Sequence, residues 1–337
     1  MNKVSALLTA ILVAFAAWSG WWWFGATAKK EGVEGWLAER RGDGWAAEAD
    51  VRVTGYPNRF DMVVTDMTLA DPEAGWAWTA PEFRTYMLAY EPNRVIAEWP
   101  GIHQLASPEE RVRAAADSLR ASAAFAPDTA LALQRSVVEI DGLELRSDAG
   151  WAAGLGSGQL SVRLSETERG RANAYDAVLE GTGLRPPPGL RRLFGRDFAE
   201  SLPPAMERVR VDLTAAFPRP LDRHAVEESA LRPETVWLRG SEIAWGDLRL
   251  EARGRLDLDA EGVPSGSIDL RAENWEAMLD AGLAAGALDA GLAEALKAGL
   301  GMLALLSGDR RSLEAPLRFQ DGWMFLGPVP LGEAPRL

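Results

Sequence analysis

The sequence predicts a β-rich α+β protein: a long, curved, mainly antiparallel sheet with amphipathic helices on one side, preceded by one N-terminal transmembrane helix. Three observations carry that prediction. Residues 4–28 form a run of 25 residues without a formal charge, and about 20 such residues in a helix cross the roughly 30 Å hydrocarbon core of a bilayer. Residues 208–217 and 248–259 alternate apolar and polar side chains with period two, the pattern of strands with one wet and one apolar face. Three segments, starting near 107, 190 and 275, have apolar residues at helical spacing and supply the covering helices.

The anchor comes first. Trp18, Trp21, Trp22, Trp23 and Phe24 gather at one end of the apolar run, where amphipathic rings suit the headgroup level. The short start and the Ala26-Thr27-Ala28 sequence before Lys29 also fit a secretory signal with a small-residue cleavage site. Bulky Trp and Phe residues stand where cleavable signals turn small and polar, which favours an uncleaved anchor. Lys29, Lys30, Arg40 and Arg41 follow the run, against Lys3 before it, and the positive-inside count alone would hold the body in the cytoplasm. Long domains translocate largely regardless of loop charge, and the export-like start favours the other side. The expectation is a single-pass inner-membrane protein with its soluble domain in the periplasm: an anchor at 1–28, a membrane-proximal connector at 29–49, and a β-rich domain at 50–337 with a soft division near 185–205.

Composition narrows the function. The formal net charge is −13, with 36 basic and 49 acidic residues, which argues against nucleic acid as a partner. The same charge repels anionic lipid surfaces, so a broad electrostatic membrane contact is not expected. The absence of cysteine excludes disulfides, thiolate zinc sites and cysteine nucleophiles.

Along the body, Val51 and Val53 open a strand, and Gly55-Tyr56-Pro57-Asn58 supplies turn chemistry. Residues 60–69, 82–90 and 94–99 continue an antiparallel meander. Ser107-Pro108-Glu109-Glu110 reads as a capping box, opening a helix with Val112, Ala116, Leu119 and Ala123 on one face. Strands follow at 136–146, 158–164 and 174–180. Pro186-Pro187-Pro188 precedes a second amphipathic helix bearing Leu190, Leu193, Phe194, Phe198 and Leu202. Residues 208–217 and 248–259 are strands, and the turn at 259–262 leads into another at 267–272. Asn274 caps an apolar helical stretch at 275–306, and a hairpin around Asp321-Gly322 closes the chain. The segments ending Ala74-Gly75-Trp76 and Ala149-Gly150-Trp151 echo one another, with Asp66 and Asp141 at matching distances. A repeated strand–turn–strand unit and the ordinary similarity of hairpins explain the echo equally well.

Catalytic chemistry is thin. His103 and His224 read as surface loop residues without a nucleophile motif nearby. Gly154-Leu155-Gly156-Ser157-Gly158 leads into a strand and lacks the helix N-terminus of a phosphate loop, so it reads as a flexible hairpin loop. Trp76, Trp78, Trp151, Trp237, Trp245, Trp275 and Trp323 suit either a core or a ligand groove. No catalytic residue, cofactor or metal site is assigned.

Gly55-Tyr56-Pro57-Asn58-Arg59-Phe60-Asp61, Trp78-Thr79-Ala80-Pro81 and Tyr90-Glu91-Pro92 resemble the bacterial domain-of-unknown-function 2125 family. So do 244–248, 254–259, Pro316-Leu317-Arg318-Phe319-Gln320-Asp321-Gly322 and 326–331. The likeness spans nearly the whole chain after the anchor. It implies a membrane-anchored envelope protein and carries over no catalytic residue. In architecture the chain is distantly similar to AsmA-like envelope proteins, whose curved sheets enclose an apolar groove associated with lipid handling.

The functional expectation is non-enzymatic: binding or guiding a lipid or other apolar envelope component. One-sided amphipathic strands must cover their apolar face, and an incompletely covered face is a groove. The candidate groove residues are Leu250, Leu256 and Leu258 on the sheet, with Leu296, Leu300 and Leu303 on the helix at 289–306, which reads either as fixed packing or as a movable cover. The alternative is a scaffold, its groove filled by its own helices, that binds an envelope protein partner. A hydrolase is disfavoured by the lack of a base–nucleophile constellation.

Overall fold

The computed structural model describes residues 3–166, 173–189, 202–227, 231–284, 286, 288–307 and 311–336; at 226–227, 302–303 and 305–307 it describes the backbone only. Among the described residues there are seventeen strands, paired antiparallel, and few helices. The fold is therefore β-rich α+β, led by a long apolar helix. Two compact units divide the chain, Met1–Ala124 with Leu145–Gly150, and Phe125–Glu144 with Trp151–Leu337.

The first unit begins with α1 (Lys3–Gly42), 40 residues long and apolar enough over its first part to cross a membrane. The helix continues through most of the expected connector. Gly32 and Gly35 do not end it, because each costs only about 1 kcal/mol while Val33 and Leu37 pack against the sheet. Lys30 pairs with Glu34 one turn on, and Arg40 and Arg41 complement the C-terminal dipole. The chain leaves the helix at Gly42 and enters β1 (Ala46–Thr54), β2 (Asp61–Asp71) and β3 (Trp76–Leu88), each antiparallel to the one before. Leu37, Ala47, Val51, Met62, Val64, Met67, Leu69 and Ala80 form the core. The inward positions of β2 change parity between Val64 and Met67. Asp66, in the left-handed region (φ 52°), accompanies the register shift against β1.

Beyond β3 the structure corrects the sequence reading. The helix expected from Ser107 is two strands. β4 (Glu91–Glu98) pairs with one half of β3, and β5 (Ile102–Ala106) with the other half. β6 (Arg111–Ala115) then pairs with β5, and β7 (Ser118–Phe125) with β4. Ser107 does accept the Glu109 and Glu110 amides at 3.2 and 3.3 Å, but the turn it makes joins strands. Cap chemistry is local, whereas the pairing that decides between helix and strand is not. His103, expected in a surface loop, is buried on β5. Its Nδ1 accepts the Trp78 indole N–H at 3.3 Å, with the two rings stacked.

The second unit contains most of β8 (Leu133–Ser147) and then a long meander: β9 (Ala152–Leu164), β10 (Ala174–Thr182), β11 (Arg208–Ala216), β12 (Thr235–Trp245), β13 (Leu248–Leu258), β14 (Pro264–Glu273), β15 (Ser312–Gln320), β16 (Trp323–Leu326) and β17 (Val329–Glu333). From β9 onward each strand pairs with its successor. The glycine-rich stretch 154–158 lies inside β9 and is not a loop. A Cβ at Gly156 would stand 3.1 Å from the Thr182 carbonyl oxygen, so the glycines allow close backbone approach. A short helix, α2 (Arg223–Glu227), precedes β12, with the exposed His224 in it.

Between β14 and β15 the expected apolar helix is a pair, α3 (Trp275–Ala284) and α4 (Ala290–Ser307), separated around Gly286 (φ 70°). Asp289 caps α4 by accepting the Leu292 amide at 2.8 Å. Asn274 starts α3 from a left-handed conformation, but its side chain donates to the Asp247 carbonyl and not to the helix. Of the helix expected after Pro188, residues 190–201 lie outside the described residues, and Leu202 is buried. At the Ala-Gly-Trp echo, Gly75 and Gly150 both have positive φ in turns between strands.

Candidate functional site

The meander places one residue of each strand beside one of the next, and registered partners point to the same face. Following the pairs across the sheet gives continuous rows. One row runs Leu160, Leu179, Val211, Ser241, Ala252, Leu270, Ala315. The next runs Gly158, Gly181, Val209, Ile243, Leu250, Ala272, Leu313. A third runs Val162, Ala177, Leu213, Leu238, Gly254, Ile268, Leu317, Leu326. Together they make one apolar surface from β9 to β15. The irregularity at Arg239 and Gly240 keeps Leu238 and Ser241 on that surface.

The two ends of this surface differ. At β13–β15 it is roofed by α3 and α4. Trp275, Leu296, Leu300 and Ala304 pack there on Ala272, Leu313, Ala315 and Val329. Leu296 and Leu300 are 1 and 0 % exposed. A Cβ at Gly299 would stand 2.9 Å from Val329 Cγ2, so that glycine lets α4 lie close to β17. What remains open beneath the roof is a cavity of about 140 Å³ lined only by apolar residues, among them Leu250, Leu270, Trp275, Met278, Leu300 and Leu326. Pockets for drug-sized ligands hold about 300–1,000 Å³, and about 150 Å³ takes a benzene-sized guest. The roofed end is therefore core with a small void. At β9–β12 the same rows come into the open: Leu160, Leu179 and Ile243 are 40, 42 and 41 % exposed. Ile243 is the direct cross-strand partner of Leu250, which lines the void.

Of the groove residues expected from sequence, Leu250, Leu296 and Leu300 come together around the roof. Leu256 is buried at the far end of β13, where it pairs with Val236 and Gly266, and Leu258 ends the strand; neither lines the void. The Leu303 side chain lies outside the described residues. The exposed trio Leu160, Leu179 and Ile243 was missed, although the segments at 158–164 and 174–180 read as strands. Register alone brings the trio onto the roofed face. Tryptophans do not gather along that face. Trp245 and Trp275 are core, Trp237 lies under the Arg255 guanidinium, and Trp323 is exposed. In the first unit Trp76 and Trp78 pack against its own core.

The opposite face is wet and charged. Arg210 bridges Glu180 and Asp212, Arg208 and Arg249 flank Glu242, and Arg271 meets Glu314. Arg239 bonds Asp212 and the buried Asp176. Burial by itself would raise the Asp176 carboxyl; hydrogen bonds from Thr214 and Ser165 and the charges of Arg239 and Arg163 outweigh it and hold the group below its usual range. This is the pattern of a solvated sheet face, and it fixes which side of the meander meets water. Among the described residues no three His, Asp or Glu side chains are grouped to hold a metal ion.

A family model described as an uncharacterized protein conserved in bacteria (domain of unknown function 2125) matches residues 22–335. No curated protein and no solved structure matches the chain.

Proposed function

We propose that the chain, which belongs to the domain-of-unknown-function 2125 family, is a membrane-anchored envelope protein that binds or guides a lipid or similar apolar chain along the open apolar face of β9–β12. One observation carries this reading. Ile243, Leu179 and Leu160 continue the apolar rows outward from under α3 and α4 and are about two-fifths exposed. An extended apolar strip with a charged reverse side offers acyl-chain contact on one face only, and contiguous exposed apolar surface marks interaction sites. Anchoring rests on α1, long and apolar enough to cross a membrane. Placement in the inner membrane with the body in the periplasm is supported by the export-like start of the chain, and a phosphatase fused after Leu337 is active only with that orientation.

The scaffold reading has its own observation: Leu296 and Leu300 already fill the roofed end. One experiment separates the two. A photo-crosslinking residue at Leu179 captures lipid in living cells, and one at Arg210 on the wet face does not. Protein adducts alone at Leu179 establish the scaffold, and the lack of any lipid adduct at Leu160, Leu179 and Ile243 removes the lipid reading.

A further inference from the structure

The first unit holds a feature that the lipid-binding face does not use. From Lys3 to Ala17 every residue of α1 is exposed. From Trp18 onward a stripe through Trp22, Ala26, Lys29, Val33 and Leu37 is covered or partly covered. The cover begins with the loop at 55–61. The Trp18 indole N–H donates to the Pro57 carbonyl at 2.9 Å and that of Trp22 to the Arg59 carbonyl at 2.7 Å. Ser19 and Tyr56 share a hydrogen bond of 2.9 Å. Trp22 contacts the Tyr56 ring edge-on and stacks on Phe60. Lys29 donates to the Phe60 carbonyl and to Thr85.

Length then decides where this loop sits. The free stretch, residues 3–17, rises about 22 Å at 1.5 Å per residue, whereas the hydrocarbon core is about 30 Å thick and a tilted helix needs still more residues. The charge-free run continues to Ala28. A helix that crosses must therefore carry the level of Trp18 to Trp22, and the loop bonded to it, into the bilayer's boundary.

The loop finds partners within the protein for most of its backbone polar groups. Its carbonyls at Gly55, Pro57, Asn58, Arg59 and Phe60 all accept hydrogen bonds from within the protein. The amides of Asn58, Arg59 and Phe60 donate within it, and Pro57 has none to donate. Satisfied backbone is the main condition for irregular structure at membrane depth. The loop's exposed side chains include Asn58 and Arg59, the latter paired with Asp61, together with an aromatic that the boundary favours: Tyr56 is 47 % exposed, and Tyr90, in the turn between β3 and β4 beside it, is 61 % exposed. The Ala89 amide ties that turn to the Asn58 carbonyl.

We propose that the loop at 55–61, with the turn at 88–91, is a second membrane contact that seats the first unit in the headgroup layer of the bilayer crossed by α1. The inference rests on the anchored reading of α1, and its test separates the two. The chain has no cysteine, so single cysteines in the full-length protein label uniquely. Val13→Cys, Tyr56→Cys, Tyr90→Cys and Arg113→Cys, each carrying an environment-sensitive fluorophore, are reconstituted in phosphatidylcholine–phosphatidylglycerol vesicles with nitroxide lipids. Val13 loses most of its emission to a deep nitroxide, Tyr56 and Tyr90 lose most of theirs to a shallow one, and Arg113 keeps its own. Quenching at Val13 with Tyr56 and Tyr90 behaving like Arg113 overturns the seating and leaves the anchor intact. No quenching at Val13 overturns both. Tyr90 lies on the turn at 88–91 and not in the loop whose carbonyls accept the α1 indoles, so it carries the test if Tyr56→Cys disturbs the loop.

Discussion

Truncating Leu300 distinguishes a fixed roof from a movable cover over the apolar face. Its side chain is wholly buried between α4 and the sheet and lines an existing void of about 140 Å³. Leu→Ala at fully buried sites costs about 2.7–5 kcal/mol, rising with the cavity left behind. Here the removed atoms merge with space that is already empty, and the wall cannot close over a gap it has not closed over before, so the upper half of that range is expected. Leu179→Ala is the comparison. With 42 % of the residue exposed, it loses roughly half of the 1.5–3 kcal/mol attached to full burial, or about 1 kcal/mol. The assay is urea unfolding of the full chain in detergent, followed by tryptophan emission and far-ultraviolet circular dichroism. Trp275, 3 % exposed and in the same cluster, reports the roof. A loss below about 1 kcal/mol for Leu300→Ala, no larger than that for Leu179→Ala, would mean that α4 is not packed as a core element, and the movable cover would return.

Two further predictions concern particular contacts. Gly25→Leu places a side chain where a Cβ alone would stand 2.5 Å from the Phe60 ring, so amide hydrogen exchange at 58–60 accelerates. Gly20→Ala, with nothing within 4 Å of its Cβ, leaves that exchange unchanged; equal exchange in the two variants refutes the docking of the loop on α1. For Asp176, a carboxyl held below its usual value of 3.8 contributes stability that is present above that pH and is lost as pH falls through the depressed folded value. Asp176→Asn is therefore less stable than wild type at pH 7, and the two converge as acid protonates the wild-type carboxylate. Urea midpoints that stay equally far apart at neutral and strongly acid pH refute the assignment.

How much of this was legible depends on whether the deciding contact is near in sequence. β11 and β13 read directly from alternation, because Val209, Val211 and Leu213, and Leu250 and Leu256, repeat every second residue. The apolar helical stretch after Asn274 was legible for the same reason, at the other period. Residues 107–123 misled because a serine-led turn and an alanine-rich run are compatible with a helix, while the pairing of β7 with β4 about 25 residues away is written nowhere locally. The continuity of α1 past Lys29 was hidden by its glycines, which the burial of Leu37 overrides.

The same distinction explains the two surfaces. Amphipathic strands predict an apolar face, but which part of it stays open depends on where α3 and α4 come down. The helix that reads either as fixed packing or as a movable cover fills the roofed end, and the open strip begins on the neighbouring strand, at Ile243, and runs out to Leu179 and Leu160. The loop at 55–61 gives the converse case. The motif through which the chain resembles its family had no evident chemistry as a sequence, and in the structure most of its residues have a task in docking. Gly55 has φ 98° and would meet the Arg59 backbone with a side chain. Tyr56 meets Ser19 and Trp22, Pro57 and Arg59 accept the two indoles, and Phe60 lies on Gly25. Those contacts join a loop to a helix about 37 residues earlier. The motif therefore encodes how the loop at 55–61 packs on α1 between Trp18 and Gly25.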